Sequence, residues 1–251
     1  MAIDSIQSLD RGLEILKMLS EEGRVTATTA AERLGIHQSS ASRLLLSLQK
    51  AGLVRKPDFH SFAADFGLLA FAGTALENFP EVAVCADCCR RLSLEHGCGA
   101  AAATLFRGRL VYLAWISPGH PETLKLVDNS RFPAQRSSLG LLLAYRLGRG
   151  EMLGTLADKL REEGSLDPQG EAEALHSMVE RGVKADGLLD LQGIGVNAFN
   201  YAMDFETASG RFAYALFSEK GALALATAKT ALAAAIAESV KTLSAKTHNR
   251  R

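Results

Sequence analysis

The chain has 251 residues, 47% apolar and 22% charged, with 28 Lys and Arg against 28 Asp and Glu. Its length and apolar content suit two globular domains with sizeable cores and exclude a disordered chain. The zero net charge excludes a uniformly basic nucleic-acid coat protein, but not a local basic face.

Three helical patterns open the chain. The first runs from about Ser8 to Ser20, with Leu9, Leu13, Leu16 and Leu19 on one apolar face, and ends at Glu21-Glu22-Gly23. Thr28 or Thr29 opens a short second helix, with Glu32 three residues after Thr29 at capping-box spacing, and Gly35 closes it. The third spans about His37 to Ala51 and buries Leu44, Leu45 and Leu48. A strand at Leu53–Lys56, a turn at Pro57-Asp58 and a returning strand at Phe59–Phe62 predict a hairpin wing. Asp65 to Glu77 reads as a connecting helix, broken by Asn78-Phe79-Pro80.

Beyond Pro80 a helix extends to Glu95. Strands are expected at Ala100–Phe106 and Leu110–Ile116, around a turn at Arg107-Gly108-Arg109, and again at Thr123–Val127. Helices follow at Ser137–Leu147, Glu151–Leu160 and Gln169–Arg181. Strands follow at Ile194–Tyr201 and Arg211–Phe217, then a last helix at about Leu223–Leu243. The expected class is therefore α+β, with an antiparallel sheet in the second domain. The expected divisions are a winged helix-turn-helix over residues 1–64, a linker helix over 65–79, an effector-binding and dimerisation domain over 80–246, and a flexible tail over 247–251.

The strongest local signal is the stretch from Thr29 to Leu45. Small Ala30 and Ala31 let two helices cross closely, Gly35 accepts a left-handed turn, and Ile36 packs inside it. The next helix then opens on His37, Gln38, Ser39, Ser40, Ser42 and Arg43. Gln and Arg suit bidentate contacts to adenine and guanine, and Ser hydroxyls and helix-terminal amides suit phosphates. Arg55, Lys56 and His60 in the wing would add salt-sensitive backbone contacts, and Lys50 lies near them in sequence. Residues 1–65 carry eight basic and eight acidic side chains, so this head is not basic as a whole. On these features alone the head reads as a DNA-binding module or, alternatively, a protein-docking module.

These segments resemble the isocitrate-lyase-regulator (IclR) family of bacterial transcription factors. The likeness rests on Ser8-Leu-Asp-Arg-Gly-Leu-Glu-Ile-Leu16, Ala31-Glu-Arg-Leu-Gly-Ile36, Ser39-Ser-Ala-Ser-Arg-Leu-Leu45, Leu48-Gln-Lys-Ala-Gly-Leu-Val54 and the stretch Phe62–Leu69. In the second domain it is carried by Pro133-Ala-Gln-Arg-Ser-Ser-Leu-Gly140, Arg181–Asp186 and Gly193–Val196. The resemblance implies a winged helix, a linker helix and a GAF- or PAS-like effector-binding domain. It also implies homodimers and tetramers on palindromic double-stranded operators, tuned by a small organic effector. The DNA-contacting set is then Arg11, Thr28, Thr29, His37, Gln38, Ser39, Ser40, Ser42, Arg43, Arg55, Lys56 and His60. The effector-contacting set is Phe132, Pro133, Ser138, Leu139, Gly140, Asp186, Ile194, Val196, Ala215 and Phe217.

The chain departs from the family pattern at three places. His37 stands where proline is usual, Leu141 where lysine is usual, and Leu188 and Leu189 where acidic residues are usual. Val196, Ala215 and Phe217 are apolar where family members that bind small carboxylates tend to be polar, and the resemblance then implies an effector more apolar or aromatic than glyoxylate or pyruvate, or a weakened pocket.

Cys85, Cys88, Cys89 and Cys98 cluster within fourteen residues. They read as core, with a thiol- or metal-responsive sensor as the alternative. No phosphate loop, G-x-S-x-G elbow or H-E-x-x-H occurs, and Ser137, Ser138 and His176 form no nucleophile–base set. No catalytic residue, cofactor or metal ligand is assigned. The opening residues lack a secretory pattern, and no run of about eighteen apolar residues is present, so a cytoplasmic protein without a membrane partner is expected.

Overall fold

The structure is a computed structural model that describes residues 5–120, 124–125, 133–191 and 197–248. The chain divides into two compact units, Met1–Phe79 and Pro80–Arg251.

In the first unit, α1 (Gln7–Glu22), α2 (Ala27–Leu34) and α3 (Gln38–Lys50) enclose a small core. A three-stranded sheet flanks them, with β1 (Arg24–Thr26) and β2 (Val54–Arg55) on either side of β3 (Ser61–Ala64). Val25 stands opposite Phe62, and Val54 opposite Ala64. Ile15, Ala30, Ala41, Leu45 and Val54 are fully buried here. The small Ala30 and Ala41 let α2 and α3 approach, and Gly35, at φ 61 and ψ 40, turns the chain between them.

Helix α1 turns inward only the Leu16 and Leu19 end of the face its leucine spacing suggests. Ile15, Met18 and Leu19 are buried, whereas Leu9 and Leu13 lie in solvent beside Ile6. Thr26, not Thr28 or Thr29, caps α2, its hydroxyl accepting the Thr29 N–H at 3.0 Å. The returning wing strand begins at Ser61 because the Asp58 carboxylate accepts the His60 and Ser61 N–H groups, at 2.9 and 2.7 Å, and winds 58–60 into a turn. Helix α4 (Phe66–Leu76) begins at the Asp65 cap and buries none of its residues.

The second unit is built on a six-stranded antiparallel sheet. Its strands are β4 (Gly99–Phe106), β5 (Arg109–Ile116), β6 (Leu124–Lys125), β7 (Leu189–Asp190), β8 (Phe199–Thr207) and β9 (Gly210–Ser218), in the order β6-β5-β4-β9-β8-β7. Arg107 and Gly108, at φ 50 and 73, form a two-residue turn that suits the twist of the β4–β5 hairpin. Period-two alternation divides the core between the two sheet faces. Ala101, Ala103, Ala202, Ala213, Ala215 and Phe217 pack under α6 (Ser138–Tyr145), α7 (Arg149–Glu162) and α8 (Pro168–Gly182). Ala100, Ala102, Tyr201, Met203, Tyr214 and Leu216 pack under α5 (Pro80–His96) and α9 (Leu225–His248).

The strand expected at Ile194–Tyr201 begins at Phe199 and continues to Thr207, while residues 192–196 lie outside the described set. Thr247 and His248, expected in a loose tail, close α9, and 249–251 lie outside the described residues. Among the described residues, no single helix is long and apolar enough to cross a membrane.

Candidate nucleic-acid interface and effector region

The first turn of α3 is polar and open. His37 occupies the N-cap, but its side chain makes no capping bond. That leaves first-turn amides for an anionic oxygen, on the positive end of the helix dipole. Thr28, His37, Gln38, Ser39 and Arg43 are exposed, and Ser40 and Ser42 are half-buried. The Gln38 side-chain amide donates to the Thr28 hydroxyl at 2.9 Å, joining the starts of α2 and α3. Thr29 is committed to the cap, with its hydroxyl 2.9 Å from that of Thr26.

Ion pairing segregates the charges of this neutral head. Lys17 pairs with Glu14, Arg24 with Asp58 and Arg33 with Glu22. Among the described residues, Arg11, Arg43, Lys50, Arg55 and Lys56 have no carboxylate partner. Four of these belong to, or directly follow, α3 and the wing. A unit with no net excess of base therefore still offers a positive surface at one place. In the wing, the Lys56 ammonium lies 5.0 Å from the Phe59 ring centre and 5.5 Å from that of Phe62. Hydrogen bonds from the Ser61 hydroxyl and from the His60 and Ser61 amides, with Arg24 adding a smaller share, hold the Asp58 carboxyl at a pKa of about 2.

In the second unit, Leu139, Ala215 and Phe217 join one cluster beneath α6. Trp115 leans on Phe217 with ring centres 4.6 Å apart, and Tyr112 meets Trp115 edge-on at 5.4 Å. Around the start of α6 the Tyr112 hydroxyl donates to Ser137 Oγ at 2.9 Å. Ser138 donates to Asn200 Oδ1 at 2.6 Å. Gln135, in the short 3-10 turn Ala134–Arg136 that follows Pro133, is buried with its Oε1 unpartnered. Gly140 lets that turn close on the helix, since a Cβ there would stand 2.4 Å from Ala134 Cα. Gly99 likewise makes room for Phe217, 2.4 Å from where its Cβ would be. Burial raises the Tyr112 hydroxyl to a pKa of about 12.

Asp186 stands apart from this cluster. Its carboxylate pairs with Lys229 of α9 at 2.7 Å and accepts the Leu188 N–H, and both hold its pKa below the ordinary carboxylate value. Phe132, Ile194 and Val196 lie outside the described residues. No local sequence signal brings Tyr112, Gln135, Ser137 and Asn200 together in this candidate region. Ser138 and Asn200, for instance, are 62 positions apart and meet only through the sheet.

The four cysteines are buried and unbridged. Burial raises the Cys85 thiol to about 12 and the Cys98 thiol to about 11, and holds that of Cys89 well above its usual range. Cys85 receives a hydrogen bond from Tyr214 at 3.5 Å, and Cys88 one from Arg91 at 3.4 Å. Among the described residues, no group of three or more His, Cys, Asp or Glu is arranged to hold a metal ion.

Residues 8–58 match the family model of the IclR helix-turn-helix domain. No curated protein matches the sequence. Among solved structures, an IclR-family transcriptional regulator from Brucella abortus superposes with a TM-score of 0.75 at 19% identity, over 97% of this chain and 93% of that one. An IclR homologue from Microbacterium hydrocarbonoxydans, complexed with 4-hydroxybenzoate, gives 0.69 at 18% identity over 95% and 99%. An IclR-type regulator from Alicyclobacillus acidocaldarius gives 0.67 at 19% over 96% and 99%.

Proposed function

We propose that the chain is a transcriptional regulator of the IclR kind, a reading supported by the helix-turn-helix match over residues 8–58 and by the likeness of its fold, and that it reads a palindromic operator and releases or engages it in response to an aromatic effector. The observation that carries the DNA-reading part is the segregation of unpaired cations to α3 and the wing, beside the uncapped start of α3. Gln38 and Arg43 read base edges in the major groove, while Ser39, Ser40, Ser42 and the α3 amides meet phosphates. Arg11, Arg55, Lys56 and His60 supply backbone contacts. Two copies read half-sites about 34 Å, or a multiple of it, apart. The protein acts in the cytoplasm as a regulator and not as an enzyme.

The dimer forms in part through α1 and α4. Ile6 at the cap of α1 with Leu9 and Leu13 on it, and Phe66, Leu69 and Phe71 on α4, are each at least half exposed. So much apolar surface on two helices is what a self-association face needs.

The effector sits against Phe217, Ala215 and Leu139, with Pro133, Ser138 and Gly140 at its edge. That buried cluster is apolar, and the polar groups near it are neutral: Tyr112, Ser137, Ser138, Asn200 and the unpartnered Gln135 oxygen. An apolar floor with a few neutral polar groups suits a flat ring bearing a hydroxyl substituent. The 4-hydroxybenzoate bound by the Microbacterium homologue is such a molecule. Because a ligand shifts an equilibrium only by its differential affinity, the effector must bind one arrangement of the two DNA heads better than the other.

Thermal-shift screening tests the effector class. Hydroxylated aromatic acids should raise the melting temperature while glyoxylate and pyruvate leave it unchanged. Stabilisation by glyoxylate or pyruvate and by no aromatic acid would overturn the assignment.

A further inference from the structure

We infer that Phe59, at the tip of the wing, is an apolar DNA contact that enters the groove flanking the one occupied by α3. The inference rests on the DNA-reading role proposed above and adds to it a residue whose type is not expected at a phosphate-facing surface.

Phe59 is 82% exposed, and its ring contacts among the described residues are the Lys56 ammonium and, edge-on at 5.2 Å, the His60 ring. No core packing accounts for a phenylalanine at this position. Nor is the tip a loose loop in which the ring could fold back. The Asp58 carboxylate accepts the His60 and Ser61 amides and the Ser61 hydroxyl, and pairs with Arg24 at 3.3 Å. The turn that carries Phe59 is therefore clamped on both sides of it, and the ring is held out in water before any partner arrives. Pre-organised display of an apolar group lowers the entropy lost on binding.

The surroundings specify the partner. Among the described residues Arg55 and Lys56 are cations without a carboxylate partner, and His60 follows Phe59 in the same wing. The single acid of the tip, Asp58, is saturated by three hydrogen bonds and Arg24, so it presents little free negative charge. An apolar ring framed by cations fits a polyanion with an apolar interior, which describes a DNA groove: phosphates at its rims, sugar faces and base edges within. The position is also continuous with the α3 surface, because β2 follows α3 after a short turn and Phe59 lies between β2 and β3. Apolar side chains inserted in the minor groove are a known means of holding or bending DNA.

The test uses the full-length protein and the DNA fragment it selects, with Kd followed by fluorescence anisotropy across a salt series. Phe59→Ala should weaken binding about tenfold at every salt concentration and leave the slope of log Kd against log salt unchanged. Phe59→Leu should retain part of the affinity, and both variants should melt with the parent protein. Equal affinity of Phe59→Ala and the parent would overturn this inference alone. A slope shallower by about one phosphate contact would also overturn it, because the ring would then act only by holding Lys56. If the parent protein selects no DNA, the regulator reading itself fails, and this inference with it.

Discussion

The side-chain amide of Gln38 donates to the hydroxyl of Thr28 at 2.9 Å, so two candidate DNA contacts on different helices hold each other in place. A glutamine amide has two N–H donors and a carbonyl oxygen. Thr28 uses one donor and leaves the other donor and the oxygen for the N7 and N6 edge of adenine. Thr28 thus fixes the rotamer of Gln38 without reading a base itself. Thr28→Ala should weaken operator binding severalfold, on the order of 1 kcal/mol, and reduce discrimination at the position read by Gln38. Base-by-base substitution of the operator checks this. An unchanged preference in Thr28→Ala would show that Gln38 needs no such support.

The unpaired cations predict a pattern of salt dependence. Arg43→Ala, Arg55→Ala and Lys56→Ala should each lower the slope of log Kd against log salt by about one. Lys17→Ala and Arg33→Ala should leave it alone, since those cations already face Glu14 and Glu22. Equal effects across both groups would contradict a charge-segregated interface.

Asp58 predicts an acid limit for the wing. Its folded pKa of about 2 lies below its ordinary value of 3.8, so its stabilising contribution is present above pH 3.8 and is lost as pH falls through 2. Asp58→Asn should melt below the parent protein at neutral pH, with the gap closing between pH 4 and pH 2. NMR titration of the Asp58 carboxyl gives the midpoint directly, and a midpoint near 4 would contradict the clamp.

Gly99 predicts a coupling between fold and effector region. A methyl group there would stand within 2.6 Å of two ring atoms of Phe217. Gly99→Ala should destabilise the second unit by about 1–3 kcal/mol through overpacking and abolish stabilisation by aromatic acids. Chemical denaturation with and without ligand reads both effects. Unaltered ligand stabilisation would place the effector away from Phe217.

The four thiols should be inert in the native protein at pH 8, since burial holds Cys85, Cys89 and Cys98 above their usual range. A disulfide-exchange reagent should label none before unfolding and all four after it. Rapid native labelling, or zinc that co-purifies in stoichiometric amount, would restore the sensor alternative.

The helix-turn-helix was legible because its signals are local: Ala30, Gly35 and the polar start of α3 lie within one short stretch, and each has a stereochemical role. Of the leucine stripe on α1, Leu16 and Leu19 pack and Leu9 and Leu13 do not, a division the spacing hides because Leu9 and Leu13 satisfy helical periodicity as well as Ile15 and Met18 do. Periodicity identifies an apolar stripe but not which partner covers it. The capping threonine was displaced to Thr26 because the start of α2 depends on where β1 ends, and a three-residue strand leaves little pattern. In the second unit the strands were visible but their neighbours were not. The contacts Ser138–Asn200 and Tyr112–Ser137 depend on sheet order, and no local spacing encodes the placement of β9 between β4 and β8.

The most direct test of the account is selection of DNA from a genomic library by the purified full-length protein, run beside the Gln38→Ala, Arg43→Ala double variant. Both substituted side chains are exposed, so the variant should fold and melt with the parent. The account predicts that the parent enriches a palindromic site and that the folded variant enriches none. Equal enrichment by both proteins, or no enrichment by the parent at low or high salt, would contradict the assignment of α3 as the element that reads DNA.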